Sequence, residues 1–443
     1  NIKPRNKYGQ RMPRIYVESY GCTANLQDSQ IMMGLLLKAG YELASTPIDA
    51  DALIINTCIV KTPTEHRMIH RIRQLSSTHK PLIVAGCMTK TEPEVIRRIN
   101  PTASLIGPNS IDQVVDVVNQ AIRGITVEAL MDSLTEKSGL PHVRLNPVID
   151  IVEISSGCLL NCSFCQTKLA RGNLRSYRPE SIRKQIETAV RDGCREIWLT
   201  SQDNSAYGLD IGTNIAELLS DICKNIDGDF LIRVGMMNPL HLIKGLLREL
   251  INAYNDRRIF KFLHLCIQSG SDKVLRDMRR GYTVSNFYEC VKMFRETYPD
   301  LTLMTDIIVG YPTEDEQDFE ASVKLLTEVK PDFVNISRFY PRPGTPAAKL
   351  KPLPVKILNE RSKLLTELCR EIALKKNEKW IGWEGPALID ELGEHGELIG
   401  RNINYRPIVI NNAEKSLLGR LVNVHVTEAR PYCLLGKIKS IIN

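Results

Sequence analysis

The chain of 443 residues has no run of about 18 uninterrupted apolar residues, the length that a helix needs to cross a membrane. We therefore expect no membrane partner. Residues 1–14 are polar and basic, without the apolar core of a secretory signal peptide. The chain also has no internal repeat and no low-complexity segment. It starts at Asn1 rather than at a methionine, from which we expect a trimmed or processed N-terminus.

The sequence has little excess charge of either sign. Its 58 Lys and Arg residues exceed its 51 Asp and Glu residues by a net charge of +7, which permits a polyanionic partner without requiring one. With 43% hydrophobic residues the composition is that of a globular protein, long enough for two or three domains. Twelve cysteines without a secretion signal indicate the reducing cytoplasm, where cysteines bind metals or fill cores.

Three cysteines stand close together in residues 156–166, which read S-G-C-L-L-N-C-S-F-C-Q. Cys158, Cys162 and Cys165, here named the barrel cysteine set, have C-x3-C-x2-C spacing on one loop. Thiolates placed in this way hold iron–sulfur clusters, usually with four ligands. Because no fourth cysteine lies nearby, a four-iron cluster would keep one iron open, as reactive metal sites do. Phe164 would add an aromatic wall.

Two other uses of these cysteines fit less well. A structural zinc site requires a second cysteine pair, and none lies nearby. A disulfide framework requires a secreted chain. The pattern therefore favours an iron–sulfur cluster.

Residues 1–134 are predicted to form a doubly wound α/β domain. Short apolar runs that indicate buried parallel strands alternate with helical patterns. The predicted strands are 15–17, 52–55 and 82–85, and the predicted helices are 25–39, 64–75, 92–99 and 111–123. A polar linker is expected at residues 135–147.

Each predicted strand of this domain is followed by a cysteine. Cys22, Cys58 and Cys87, here named the sheet cysteine set, follow the three strand ends. In open α/β sheets the ligand crevice lies beyond the carboxyl ends of the strands, so the three thiols should meet there. Small core residues are the alternative reading. Three cysteines at equivalent strand ends favour a second three-thiolate cluster, and Gly21 and Gly86 would allow close backbone approach.

Residues 148–379 alternate strand and helix about six times and predict a (βα)6 partial TIM-type barrel. The predicted strands are 149–154, 195–200, 230–235, 260–267, 302–309 and 333–339. Polar residues near the carboxyl ends of these strands could bind a small polar cofactor, although each alone could be a loop residue or a helix cap. The candidates are Ser201, Gln202, Gln268, Ser269, Arg280 and Asp306. Arg280 could instead be solvated.

Residues 380–443 change to short runs of period two. The runs are 387–389, 398–401, 407–410, 421–426 and 434–438, and they predict a small antiparallel β-barrel. Basic residues gather after position 399, and a basic barrel face suits a nucleic-acid backbone. Arg401, Arg420, Lys437 and Lys439 are the candidate phosphate contacts, with solvated surface as the alternative.

The barrel cysteine set matches the C-x3-C-x-φ-C motif, φ being aromatic, and so resembles the radical S-adenosylmethionine (SAM) superfamily. The order of the three domains is similar to that of the methylthiotransferases, whose last domain is a TRAM barrel. Four stretches resemble the archaeal and eukaryotic branch that acts on N6-threonylcarbamoyladenosine in tRNA. They are N-T-C-I-V-K-T-P-T-E from Asn56, A-R-G-N-L-R-S-Y from Ala170, E-I-W-L-T-S-Q-D-N-S-A-Y-G from Glu196 and F-Y-P-R-P-G-T-P-A-A-K from Phe339.

This resemblance implies two [4Fe-4S] clusters, SAM, a tRNA substrate and a one-electron donor protein such as a ferredoxin or flavodoxin. The cluster on the barrel cysteine set would cleave SAM, with Phe164 and the polar candidates above beside the cofactor. The resulting 5′-deoxyadenosyl radical would take hydrogen from carbon 2 of the adenine. The sheet cysteine set would deliver sulfur, and a second SAM the methyl group.

Other readings stay open. The substrate could be isopentenyladenosine in tRNA or a ribosomal protein side chain, and a protein of another class would be a non-catalytic iron–sulfur RNA sensor. A threonylcarbamoyl group carries a carboxylate, for which Lys61, Lys168 and Arg171 could supply positive charge. The remaining cysteines are interpreted as packing residues, with Cys266 the least certain because it lies near a strand end.

Overall fold

The computed structural model describes residues 11–59 and 62–442, which form three successive units. The N-terminal α/β unit is a six-stranded, all-parallel sheet with strand order β2-β1-β3-β4-β5-β6. Its elements are β1 (Arg14–Ser19), α1 (Thr23–Lys38), β2 (Glu42–Leu43), β3 (Ala52–Thr57), α2 (Thr62–Ser76), β4 (Leu82–Gly86), α3 (Cys87–Thr91), α4 (Pro93–Ile99), β5 (Ser104–Ile106), α5 (Val114–Ile122) and β6 (Glu128–Ala129).

Helices cover both faces of this sheet because its strands are apolar on both faces. In β3, Ala52 and Ile54 face the core under α1 and α5, whereas Leu53 and Ile55 face the core under α2 and α4. The doubly wound prediction is confirmed, and the three predicted strands are present. The sequence did not indicate β2, β5 and β6, since two or three residues are too few to show a pattern.

The central unit is a partial barrel of six parallel strands. Its elements are β7 (Ile149–Glu153), β8 (Ser155–Ser156), α6 (Thr167–Arg171), β9 (Arg175–Ser176), α7 (Pro179–Arg191), β10 (Glu196–Thr200), α8 (Ile215–Asn225), β11 (Leu231–Val234), α9 (Pro239–His241), α10 (Leu247–Ala253), β12 (Phe262–His264), α11 (Asp272–Asp277), α12 (Val284–Thr297), β13 (Thr302–Val309), α13 (Glu316–Val329), β14 (Phe333–Arg338) and α14 (Val355–Glu378). The sheet β7-β10-β11 joins the sheet β12-β13-β14 through single parallel bridges at Ile232–Ile259 and Met237–Leu265. The predicted six-strand partial barrel is confirmed.

The segment predicted as a linker packs tightly against both neighbours. Lys137 is 3% exposed, and the Val143 N–H donates to the Gln30 carbonyl oxygen of α1 at 2.9 Å. On the barrel side, Arg144 Nε donates to Asp150 Oδ1 at 2.8 Å. The segment therefore ties the first unit to the barrel.

The C-terminal unit is a closed barrel with strand order β15-β16-β17-β19-β18. Its strands are β15 (Glu384–Leu392), β16 (Leu398–Arg401), β17 (Pro407–Ile410), β18 (Leu421–Ala429) and β19 (Leu434–Ile442). Four seams are antiparallel, as predicted, and β17 pairs with β19 in parallel. A closed barrel with an odd number of strands cannot alternate direction at every seam, so one parallel seam is required.

The closed barrel packs beneath the six-strand barrel, at the amino ends of its strands. Tyr405 lies with its ring centroid 4.7 Å from that of Phe260 and 4.9 Å from that of Phe262. The Lys261 N–H donates to the Ile403 carbonyl oxygen at 2.8 Å. The opposite end, where the carboxyl ends of the strands lie, stays available for the site. In the part of the chain that the structure describes, no helix has the length and apolarity to cross a bilayer.

Candidate active site

The barrel cysteine set lies on the loop after β8, at the carboxyl end of the barrel. Burial raises the pKa of Cys158 to about 12, and negative charge at Asp203, Cys165 and Cys162 adds to the effect. The three thiols are therefore close neighbours. The Leu160 N–H points to Cys158 Sγ at 3.4 Å. Buried sulfur atoms that receive N–H donors suit a metal-bound thiolate cluster.

Arg280 supplies a positive charge to this loop. Its Nη1 donates to Cys162 Sγ at 3.2 Å, and its Nε donates to the Tyr282 hydroxyl at 3.0 Å. That hydroxyl donates in turn to the carbonyl oxygens of Cys266 and Ile267, both at 2.8 Å. Arg280 is 7% exposed, so the alternative that it is merely solvated is wrong.

Phe164 anchors the same loop by packing. It is half-buried and lies against the buried cluster that contains Met278, Tyr311 and Phe339. Ser163 Oγ, beside it, donates to the Asp277 carbonyl oxygen at 2.8 Å. The aromatic residue of the motif therefore holds the cysteine loop against α11 and the ends of β13 and β14.

The sheet cysteine set is brought together by three strand ends. Cys22 caps α1, Cys58 follows β3, and Cys87 is the first residue of α3. Burial raises the pKa of Cys87 to about 12, with added effects of Cys22 and Cys58 and an opposing effect of Arg171. Gly21, with φ of 109°, allows the close approach, since a Cβ atom there would lie 2.8 Å from Cys58 Sγ.

Buried polar atoms lie next to the barrel cysteine set. Ser201 Oγ is buried after β10 without a hydrogen-bond partner among the described residues, and Asp203 Oδ2 lies 3.6 Å from His241 Nε2. Burial raises the pKa of Asp203, the charges of His241 and Arg280 oppose this shift, and the charge of Asp203 acts in turn on Cys158. Gln202 Oε1 accepts from the Gly157 N–H at 2.6 Å, directly before Cys158. The region therefore offers hydrogen-bonding groups to a polar ligand beside the cysteines.

Gln268 and Ser269 follow β12 and have different surroundings. Gln268 is half-buried with φ of 75°, and its N–H donates to the Asp306 carbonyl oxygen at 2.8 Å. Ser269 is completely buried, and its Oγ accepts from the Ser271 N–H at 3.2 Å. The Ser269 hydroxyl therefore stabilises the turn after β12, and its contact with the cofactor stays a prediction.

Asp306 is the centre of a polar cluster inside the barrel. Its Oδ2 accepts from His264 Nε2 at 2.8 Å and from Cys266 Sγ at 2.6 Å, and its Oδ1 accepts from Asn335 Nδ2 at 2.8 Å. Burial alone would raise the pKa of Asp306, but these partners lower it to about 2. Cys266 therefore does more than fill the core. The sequence reading missed His264 and Asn335, although polar residues inside apolar strands are a recognisable signal.

Arg171 does not face the substrate side of the cysteines. It is 1% exposed and belongs to a group of four charged side chains, here named the buried ion network, formed by Asp28, Lys137, Glu153 and Arg171. A direct contact of Arg171 with the threonylcarbamoyl carboxylate does not fit this structure, because the guanidinium is buried and both terminal nitrogens already donate to protein oxygens.

The same hypothesis includes two lysines, Lys168 and Lys61. Lys168 Nζ donates to the Cys158 carbonyl oxygen and to Asn173 Oδ1, the latter at 2.8 Å. It therefore supports the cysteine loop. Lys61 lies outside the described residues.

The basic residues predicted to bind RNA divide into two groups. Arg420, Lys437 and Lys439 are exposed on the closed barrel. Arg401 instead pairs with Asp390 at 2.5 Å and with Glu391 at 2.6 Å, and its guanidinium lies over the Tyr405 ring. The prediction that Arg401 binds phosphate is therefore wrong, because two carboxylates occupy its donors.

Both cysteine sets border the same interface between the first unit and the barrel. α3, which begins at Cys87, packs against α6, which begins two residues after Cys165. Asn109 Nδ2 donates to the Arg171 carbonyl oxygen at 3.1 Å, and Ser156 Oγ donates to Asn109 Oδ1 at 2.8 Å. The two groups of thiols thus lie on either side of one contact between the units.

Three family models match the chain in the order of its three units. Residues 14–107 match the uncharacterized protein family UPF0004, residues 152–326 match the radical SAM superfamily, and residues 380–439 match the TRAM domain. Together with the two cysteine sets, these matches define a radical SAM enzyme with SAM and [4Fe-4S] clusters as cofactors.

Relatives that match nearly the whole chain identify the family. The chain is 42% identical over 430 residues to a probable threonylcarbamoyladenosine tRNA methylthiotransferase of Pyrococcus horikoshii, covering 96% of this chain and 100% of that protein. It is 37% identical to the threonylcarbamoyladenosine tRNA methylthiotransferase of Drosophila melanogaster, covering 96% and 77%. The human protein of that name is 34% identical, covering 99% and 76%. The chain belongs to the threonylcarbamoyladenosine tRNA methylthiotransferase family.

Solved structures share the fold at low sequence identity. The radical SAM methyltransferase TsrM of Kitasatospora setae aligns with a TM-score of 0.57 and 13% identity, covering 76% of this chain and 74% of that one. The cobalamin-dependent radical SAM enzyme OxsB aligns with a TM-score of 0.53 and 12% identity, covering 82% and 56%. These likenesses concern the fold alone.

Proposed function

We propose that this protein is a radical SAM enzyme that converts N6-threonylcarbamoyladenosine beside the anticodon of tRNA to its 2-methylthio derivative. The observation that carries the proposal is the placement of two three-cysteine sets on one interface, each at the carboxyl ends of parallel strands. A sensor would need one cluster at most, whereas inserting sulfur at an unactivated carbon needs a radical source and a sulfur source. The family membership specifies the modified adenosine.

We assign one [4Fe-4S] cluster to each cysteine set. When bound, the cluster on the barrel cysteine set supplies the electron that cleaves SAM, and the cluster on the sheet cysteine set supplies sulfur. Arg280 fixes Cys162 and places positive charge beside it. Ser201 offers an unsatisfied buried hydroxyl to SAM, and Asp203 offers a buried carboxylate that lies 3.6 Å from His241 Nε2. Gln202 holds the backbone at Gly157.

Three further assignments complete the proposal. The functional domains are residues 1–134 for the sulfur-donating cluster, 148–379 for SAM and 380–443 for RNA, joined by residues 135–147. Because SAM cleavage consumes an electron, a one-electron donor protein such as a ferredoxin or flavodoxin is the expected protein partner, in addition to the tRNA substrate. The reaction on tRNA takes place in the cytoplasm.

The substrate prediction is tested with two purified tRNAs, one bearing threonylcarbamoyladenosine and one bearing isopentenyladenosine. We expect the methylthio product on the first and none on the second, because a pocket built to hydrogen-bond a polar group strongly rejects analogues that lack it. The reduced enzyme is supplied with excess SAM, and nucleosides are measured by mass spectrometry. Product on the isopentenyladenosine tRNA alone would contradict the assignment of threonylcarbamoyladenosine as the substrate. SAM cleavage without product on either tRNA, but with a modified ribosomal protein, would favour the protein substrate.

The RNA prediction concerns the exposed basic residues of the closed barrel. Substituting Arg420, Lys437 and Lys439 with glutamine, one at a time, should weaken tRNA binding and lower the salt slope of log K by about one for each lost phosphate contact. Binding is measured at several salt concentrations. An unchanged slope in all three variants would place the RNA elsewhere.

Arg401 provides the matched control on the same barrel. Arg401→Met removes the same charge from an ion pair that is 14% exposed on the arginine side. Breaking such a buried pair costs about 3–5 kcal/mol of folding stability. We therefore expect a lower unfolding temperature with an unchanged salt slope, which separates structural from RNA-binding arginines.

A further inference from the structure

Arg171 connects the two cysteine sets through its backbone and its side chain. It is the last residue of α6, the short helix that starts two residues after Cys165. Its carbonyl oxygen accepts from Asn109 of the first unit, and its guanidinium extends into that unit as far as α1. It is among the largest completely buried side chains of the protein.

The guanidinium uses its two terminal nitrogens to contact both units. Nη2 donates to Asp28 Oδ2 at 2.7 Å and to Asn25 Oδ1 at 2.9 Å, and Nη1 donates to Glu153 Oε1 at 3.1 Å. Asp28 and Asn25 belong to α1, whereas Glu153 ends β7 of the barrel. A planar fork of fixed donors is suited to such a three-way contact, which a lysine cannot reproduce.

Asn25 carries the contact onward to the sheet cysteine set. Its Oδ1, which accepts from Arg171, lies 3.9 Å from Cys87 Sγ. Its Nδ2 donates to the Thr57 carbonyl oxygen at 2.8 Å, directly before Cys58. A guanidinium, an amide and a thiol thus form a continuous chain, and the charge of Arg171 acts on both Cys87 and Cys22.

The network is neutral as a whole, but Arg171 is the member that contacts Asn25 and, through Asn25, reaches Cys87. Two cations, Lys137 and Arg171, balance two anions, Asp28 and Glu153. Removing Arg171 would leave a net negative charge one amide away from the thiols. Net charge and hydrogen bonding around the sulfurs are what set the reduction potential of an iron–sulfur cluster.

We propose that Arg171 is a positioning residue that holds the two cysteine sets in register and raises the reduction potential of the cluster on the sheet cysteine set. The inference rests on the proposed function, because it requires a cluster at that set. One-electron reduction adds negative charge to the cluster, and a buried cation beside it favours the reduced state. Since the Arg171 backbone follows the barrel cysteine loop, the same residue fixes the distance between the barrel cysteine set and the sheet cysteine set.

The test is a redox titration of the anaerobic full-length enzyme with both clusters, followed by electron paramagnetic resonance. SAM binding shifts the signal of the barrel cluster and so distinguishes it from the other. Arg171→Gln combined with Asp28→Asn removes one charge of each sign and keeps the network neutral. We expect a more negative potential for the sheet-set cluster and an unchanged potential for the barrel cluster. Arg171→Lys, which keeps the charge without the fork, should give a sheet-set potential between those of the wild type and the double variant.

A second variant reads out the same electrostatic effect without touching the guanidinium. Compared with Asn25→Leu, which loses the Nδ2 donor to the Tyr20 and Thr57 carbonyl oxygens without adding charge, Asn25→Asp places a carboxylate between Arg171 and Cys87. It should lower the potential of the sheet-set cluster as well. It keeps the inference testable where the double variant loses both clusters.

The matched control breaks a different ion pair across the same interface. Arg342 Nη1 lies 2.7 Å from Glu65 Oε2, and both residues change to glutamine in the control. The control should leave both potentials unchanged. If the sheet-set cluster is present and has the same reduction potential in the wild type, the Arg171/Asp28 double variant and Asn25→Asp, the inference is overturned while the proposed function stands. A wild-type enzyme without iron on the sheet cysteine set would overturn the proposed function with it.

Discussion

Replacing Cys158, Cys162 and Cys165 together with alanine is expected to remove about half of the iron and to abolish SAM cleavage. Two four-iron clusters correspond to about eight irons per chain, of which each cysteine set holds four. The loop would remain folded, because Phe164 packs on Met278 and Phe339 without help from the thiols. Iron and 5′-deoxyadenosine are measured after anaerobic reconstitution and reduction.

The control for this variant uses cysteines that lie in the barrel core. Cys194, Cys290 and Cys369 are buried among apolar residues away from both cysteine sets, and replacing them with alanine removes the same number of thiols. We expect full iron content and SAM cleavage at near the wild-type rate per folded enzyme. Equal iron loss in the control and in the barrel-set variant would contradict the assignment of the first cluster.

The fold and both cysteine sets could be predicted because their signals are local. The barrel cysteine set lies within eight residues of sequence, and the sheet cysteine set follows from one rule about strand ends. Strands of five or more residues, such as β3, β7 and β13, also have a visible pattern. A two-residue strand such as β2 has none, because its pairing is defined by the neighbouring β1.

The roles of charged residues could not be predicted in the same way. Arg171 and Asp28 are 143 residues apart in sequence, and nothing in either neighbourhood indicates that they meet. Arg401 pairs with Asp390 on the adjacent strand, a partner that depends on the register of a barrel seam. From sequence alone, a basic residue that is ion-paired with a carboxylate cannot be distinguished from one that is free to bind phosphate. Its role is therefore decided by packing between distant segments.

Replacing Cys22, Cys58 and Cys87 together with alanine should stop sulfur insertion without stopping SAM cleavage, whereas the barrel-set variant stops SAM cleavage itself. About half of the iron should again be lost, but SAM cleavage should continue, because the barrel cysteine set keeps its loop and its Arg280 contact. No methylthio product should form, since the sulfur source is gone. The two variants therefore separate the generation of the radical from the insertion of sulfur.

The measurement combines three readouts on one anaerobic sample of reduced enzyme with tRNA bearing threonylcarbamoyladenosine. Iron is quantified, 5′-deoxyadenosine is followed by chromatography, and nucleosides are analysed by mass spectrometry. If the variant lost both SAM cleavage and product formation, a damaged fold could be the cause. The thermal unfolding of the variant is therefore compared with that of the Cys194/Cys290/Cys369 control. A folded variant that makes product at the wild-type level would refute the sulfur-donating role. Gly21 and Asn25 pack directly on these thiols. Serine replacements, which are similar in size to cysteine, therefore provide a second variant. They keep the packing at the strand ends but remove the sulfur ligands.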